Sequence, residues 1–326
     1  MKKIHIFTLG GTIAYKGDSD KPIINGEDLV QGLPEIATIA NVTTTSFLQA
    51  ASSSLTIDDI VVLSSEIIQM IDKGIDGVVV TQGTDTIEET AFILDLLVNR
   101  DVPIVITGAM RNPILRGADG PANLLAAIQV VVSGVTKGIG AVVVFNDEIH
   151  SAKFVRKTHT QSVAAFQSVC GPIGWMTENV PRLVMTPERK SYSSFQIIRE
   201  DAPVALYTVS LGDDGRLLPK IIETGYRGLV LEALGGGHVP SSMVEPLNDL
   251  AREIPVILAS RTGSGEMLTK TYKGYPGSET SLLNKGLISA GWLDGRKSRI
   301  LLTLLLMSGT SYERIREYFK CFSKLT

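Results

Sequence analysis

Gly77-Val78-Val79-Val80-Thr81-Gln82-Gly83-Thr84-Asp85-Thr86 is a β-branched run that stops at a glycine and a cluster of hydroxyl and carboxyl side chains. A strand with one wet face alternates polar with apolar residues, whereas a continuous apolar run suits a strand covered on both faces. Working outward, residues 56–73 before it and 87–98 after it carry apolar side chains at helical spacing. Similar runs recur at residues 4–9, 103–107 and 141–145, with a further helical pattern at 120–132. Beyond these, strands are expected at 204–209, 228–232 and 255–259, and a helix at 241–253. Strands alternating with helices give an α/β fold: a doubly wound, mostly parallel sheet with a second, smaller α/β domain. The polar segment 186–202 lacks a firm period and contains Pro187, so it reads as a linker between domains at 1–185 and 203–326.

The chain has 326 residues, 44% of them apolar, which is enough for one large core or two medium ones. Net charge is −3 with no long basic stripe, so no nucleic-acid partner is expected. His5, His150, His159 and His238 are scattered and have no zinc-site spacing, and only Cys170 and Cys321 could add thiolates, so no metal is expected. Two distant cysteines make no disulfide framework, and Cys170 beside Gly171-Pro172 reads as a packed small residue. The N-terminus runs straight into a strand without the long apolar region of a leader. The longest apolar stretch, residues 124–135, is interrupted by Gln129, Ser133 and Gly134 and is too short to span a bilayer. No membrane association is expected, and the cytoplasm is the simplest location.

In an open parallel sheet, ligands sit beyond the carboxyl ends of the strands. The first strand is followed by Gly10-Gly11-Thr12, the second by Gly83-Thr84-Asp85-Thr86, and the third by Gly108-Ala109-Met110-Arg111. The fourth is followed by Asn146-Asp147-Glu148 and then Lys157. Taken singly, each has an ordinary explanation: Thr12 as a helix cap, Thr84-Asp85-Thr86 as a helix N-terminus, Lys157 as a solvated lysine. Neither P-loop spacing nor GxGxxG spacing is present, and no cofactor is expected. Together they place two hydroxyls, a carboxylate and an amine at one rim of one sheet. A hydroxyl nucleophile needs a base, and a lysine whose amine is neutral can serve, oriented by a neighbouring aspartate. Backbone N–H groups at the Gly11 and Gly83 turns suit a tetrahedral oxyanion.

Thr8-Leu9-Gly10-Gly11-Thr12-Ile13-Ala14 resembles the first signature of the bacterial-type L-asparaginase/glutaminase family, and Gln82-Gly83-Thr84-Asp85-Thr86 resembles its second. Gly108-Ala109-Met110-Arg111 with Ala118-Asp119-Gly120-Pro121-Ala122-Asn123, and Phe145-Asn146-Asp147 through Lys157-Thr158, are similar to its next blocks. Tyr275-Pro276-Gly277-Ser278-Glu279 and Gly286-Leu287-Ile288 extend the likeness over nearly the whole chain. The resemblance implies that Thr12 is the nucleophile and that Thr84, Asp85 and Lys157 form a second triad. It implies that Ser52, with Ser53 beside it, holds the substrate's α-carboxylate, and that Asp85 binds the α-ammonium. Gly11 and Gly83 then line the substrate, and the Ala109 carbonyl holds the leaving amide. Glu279 matches an acidic residue lent by a neighbouring subunit, which implies a homodimer or homotetramer with a shared active site.

There are departures. The family's loop tyrosine has no counterpart between Gly17 and Gly26, leaving Tyr15 as the only nearby candidate. Ala51 stands where many members have aspartate, and Gly235-Gly236-Gly237-His238 stands where some use an asparagine. The expected substrate is L-asparagine, hydrolysed to aspartate and ammonia through an acyl-enzyme. The alternatives are a glutaminase or related amidohydrolase, and a non-catalytic amino-acid-binding relative.

Overall fold

The computed structural model describes residues 1–14, 26–189, 196–198 and 202–323. They fall into two compact units, Met1–Ser194 and Phe195–Thr326. The first contains β1 (Lys2–Thr8), β2 (Ala40–Ser46), β3 (Gly77–Thr81), β4 (Ile104–Thr107), β5 (Ala141–Phe145), β6 (Glu148–Ser151), β7 (Val155–Lys157), β8 (Phe166–Ser168), β9 (Gly174–Thr177) and β10 (Val180–Leu183). Its helices are α1 (Gly26–Gln31), α2 (Ile36–Ile39), α3 (Ile57–Asp72), α4 (Ile87–Leu97) and α5 (Gly120–Ser133).

The main sheet has the order β10-β9-β6-β5-β4-β3-β1-β2, and β7 pairs with β8 apart from it. The strands from β2 to β5 in that order are parallel, and β6, β9 and β10 continue antiparallel. The chain steps from β1 out to the edge at β2, then returns past β1 to form β3. Strand order therefore reverses between β1 and β3, which opens a crevice beyond their carboxyl ends.

Side chains alternate across a strand, and both sets are buried here. Ile4, Ile6, Val79, Val105, Val142 and Val144 share a core with Leu124, Ala127, Ile128 and Val131 of α5. Their alternates, Phe7, Val78, Val80, Ile104, Ile106, Val143 and Phe145, are buried too, as are Ile60, Leu63 and Ile67 of α3. Cover on both faces explains why these strands read as unbroken apolar runs.

Local signals set the helix ends. Thr56 closes a capping box on α3, with its Oγ1 accepting from Asp59 N at 3.1 Å and its N–H donating to Asp59 Oδ2 at 2.8 Å. Gly134 ends α5 in the left-handed region at φ 72°.

The second unit holds a parallel four-stranded sheet of β11 (Val204–Thr208), β12 (Gly228–Ala233), β13 (Val256–Ser260) and β14 (Ile288–Ser289), in that order. Its helices are α6 (Lys220–Glu223), α7 (Val244–Glu253), α8 (Glu279–Asn284), α9 (Gly295–Met307) and α10 (Tyr312–Cys321). Cys170 is exposed, contrary to the packed position expected for it. It lies in the turn after β8, where Gly171 N donates to Ser168 O at 2.9 Å. Among the described residues no helix is long and apolar enough to cross a membrane.

Candidate active site

Three turns meet at the crevice. Past the end of β1, Leu9 N still donates to Thr81 O at 2.9 Å, while Ala50 N donates to Leu9 O at 3.1 Å. Gly10 and Gly11 then take φ of 94° and 86°, where any side chain is strained. A Cβ on Gly11 would lie 2.1 Å from Gly83 N and 2.3 Å from Gly83 Cα, so the two turns press backbone against backbone. A Cβ on Gly83 would lie 2.7 Å from Ser52 Oγ. Glycine at both positions is what lets β1, β3 and the Ser52 turn converge.

Thr12 opens a short 3-10 turn, Thr12–Ala14, closed by Ala14 N donating to Gly11 O at 3.0 Å. Thr84–Thr86 forms another ahead of α4, and Ser52–Ser54 a third ahead of α3. Ser52 is buried, and its Oγ accepts from Asp85 N at 3.2 Å. That leaves the Ser52 O–H able to donate to something else.

Lys157 ends β7, with its side chain against the Thr84–Thr86 turn that precedes α4. Its backbone N–H donates to Glu88 Oε2 at 3.0 Å. Its Nζ lies 2.8 Å from Thr84 Oγ1 and 2.7 Å from Asp85 Oδ1. When charged, the amine donates to both oxygens; when neutral, it can accept the Thr84 proton. Asp85 is 64% exposed along its side chain, so this ion pair adds at most about 1 kcal/mol of stability. Stability alone is therefore a weak reason for holding an amine against a buried hydroxyl.

The loop after β4 is pinned from α5. Asp119 accepts from Met110 N at 2.9 Å and Arg111 N at 2.8 Å. Asn123 Nδ2 donates to Gly108 O at 3.0 Å, and its Oδ1 accepts from Asn146 N at 2.9 Å. This accounts for the similarity block at 118–123: it braces one wall of the cleft.

Thr12, Ser52, Gly11, Gly83, Thr84, Asp85 and Lys157 all line one open cleft of about 700 Å³. Gln49, Ala50, Met110, Asn112 and Thr160 line it too and were not singled out from sequence. Met110 and Asn112 sit in or beside a block already quoted, and Thr160 lies three residues after Lys157, so position relative to strand ends was the available signal. Ser53 is exposed and Ala109 is buried, and neither is among the lining residues. Tyr15 lies outside the described residues.

Glu279 belongs to the second unit, where it is fully buried. Its Oε1 accepts from Tyr272 N at 2.7 Å, and its Oε2 is 3.3 Å from His238 Nε2. The His238 ring packs edge-on to Tyr272, centroids 4.6 Å apart.

The model named Asparaginase, N-terminal, matches residues 3–189, and the Glutaminase/Asparaginase C-terminal domain matches residues 203–319. The chain belongs to the asparaginase family. A similar member of the asparaginase family is a probable L-asparaginase of Deinococcus radiodurans, 37% identical over 257 residues, which are 78% of this chain and 78% of that protein. L-asparaginase 2 of Escherichia coli K12 is 31% identical over 331 residues, spanning 98% of this chain and 93% of its own. The crystal structure of a probable cytoplasmic L-asparaginase from Campylobacter jejuni has the same asparaginase fold, with a TM-score of 0.88 at 31% identity, over 98% of this chain and 99% of that one.

Proposed function

We propose that this asparaginase-family chain hydrolyses L-asparagine to L-aspartate and ammonia by acyl transfer through a threonine. One observation carries the reading: Lys157 Nζ is held between Thr84 Oγ1 and Asp85 Oδ1 on the wall of a cleft that Thr12 also lines. Thr12 Oγ1 attacks the side-chain amide carbon. The C–N bond breaks, and the amine leaves as ammonia with the hydroxyl's proton. Water then attacks the Thr12 ester, activated by the Thr84–Lys157 pair, releasing aspartate and restoring the hydroxyl. Backbone N–H groups of the Gly11 and Gly83 turns face the oxyanion. Ser52 donates to the α-carboxylate, and the Asp85 carboxylate takes the α-ammonium.

Thr12→Ala and Thr84→Val are each expected to cut ammonia release by at least about 10²-fold. Asparagine should still bind in calorimetry. Full turnover in either variant overturns the assigned roles.

Glutamine is the second reading, since the C-terminal family model bears both names. One methylene is worth about 1–3 kcal/mol of discrimination. Comparing kcat/KM for the two amides decides it, with an advantage for glutamine reversing the assignment. We place the enzyme in the cytoplasm as a homodimer or homotetramer, which fractionation and sizing chromatography test. Glu279, whose Oε1 accepts from Tyr272 N, keeps acceptor capacity with which to serve a neighbouring protomer's α-ammonium. An unchanged KM in Glu279→Gln removes it from the site.

A further inference from the structure

Thr86 is the N-cap residue of α4, a position where a threonine hydroxyl ordinarily accepts from a first-turn N–H and adds about 1 kcal/mol. It makes no such bond. Its Oγ1 instead donates to Ser52 O at 3.0 Å. The same oxygen lies 3.2 Å from the buried Gln82 Nε2, which also donates to Gly83 O at 3.3 Å. A hydroxyl has one proton. Because Gln82 is the donor on its other side, that proton is directed at Ser52. The Ser52–Ser54 turn has no side-chain cap of its own, and its other tie to this region is the bond from Asp85 N to Ser52 Oγ. A side chain that forgoes a local bond to hold a neighbouring turn marks a place where local preference yields to function.

We infer that Thr86 is a specificity-determining positioning residue: aimed by Gln82, it fixes the Ser52 turn so that the Ser52 hydroxyl is presented to the substrate's α-carboxylate. Thr86 is not among the residues lining the cleft, so it acts through Ser52 and not on the reacting atoms. This rests on the reading of Ser52 given above.

The test is a double-mutant cycle on asparagine hydrolysis. Thr86→Val is expected to raise KM roughly tenfold, the effect of losing one positioned hydrogen bond, with kcat within about threefold of wild type. Thr86→Ser restores the hydroxyl and should return KM to within about twofold. In a Ser52→Ala background, Thr86→Val should raise KM no further. If Ser52→Ala alone leaves KM unchanged, the Ser52 reading has failed, whatever Thr86 does. If Ser52→Ala raises KM but Thr86→Val does not, or the two effects add in full, the inference about Thr86 is overturned. A loss of melting temperature at unchanged KM also overturns it, leaving Thr86 a structural residue. Should Thr86→Val not fold, Thr86→Ala carries the same comparisons.

Discussion

Gly11 shows how little freedom single residues have at the crevice. Its φ of 86° already disfavours a side chain, and the Cβ position is filled by Gly83 N at 2.1 Å. Gly11→Ala therefore combines backbone strain of about 1–3 kcal/mol with a clash against main chain that cannot rotate away. We expect a lower melting temperature and asparagine turnover reduced by at least about tenfold, because a small shift of the Thr12 turn misplaces the oxygen proposed to attack. Wild-type kinetics in that variant would show that the two turns can part without cost. The cluster of Thr12, Thr84, Asp85 and Lys157 was readable in the chain as residue types at or soon after strand ends. What sequence could not supply was the use of Thr86. A threonine ahead of a helix reads as a cap, and only the position of Ser52, 34 residues earlier, diverts its hydroxyl.

Among the longer strands, legibility followed burial. β3, read as a continuous apolar run, has all five residues buried. β2 was missed because it is the sheet's edge: its Ala40–Ser46 sequence is rich in threonine and mostly open to solvent. The antiparallel β6, β9 and β10 are three strands of only four residues each, too short to show a period. α9 was also missed, although it is buried on nearly every side, down to Lys297. By contrast α3 declares its start. Thr56→Ala removes both the side-chain acceptor for Asp59 N and the hydroxyl donor to Asp59 Oδ2. It should cost about 1 kcal/mol in urea unfolding without altering KM. A change in KM would mean that α3 transmits strain into the Ser52 turn.

For the molecule as a whole, pH dependence follows from what is buried uncharged. His5 lies between Thr43 Oγ1 at 2.7 Å and Thr45 Oγ1 at 3.0 Å, and burial holds its pKa below the ordinary 6.5. Burial also lowers that of His150, against the opposing pull of Glu148. In the window below 6.5 the unfolded chain binds more protons than the folded one, so stability is full above it and falls as pH drops through it. Asp95 has the reverse sign: burial raises its pKa, so the stability it lends at low pH is lost as pH rises through its folded value. Urea midpoints between about pH 5 and 7 should therefore fall on acidification, and His5→Gln with His150→Gln should flatten that slope. An unaltered slope in the double variant would assign the acid sensitivity elsewhere. At this same scale the reversal of strand order between β1 and β3 sets where the cleft lies, but the glycine contact beneath it sets what can vary there. A floor made of two interlocked main chains offers no side-chain atoms to trim or extend. Refitting the enzyme to a longer or bulkier amide thus has to draw on the other lining positions, at Gln49, Ala50, Met110 and Asn112, where side chains exist to be exchanged.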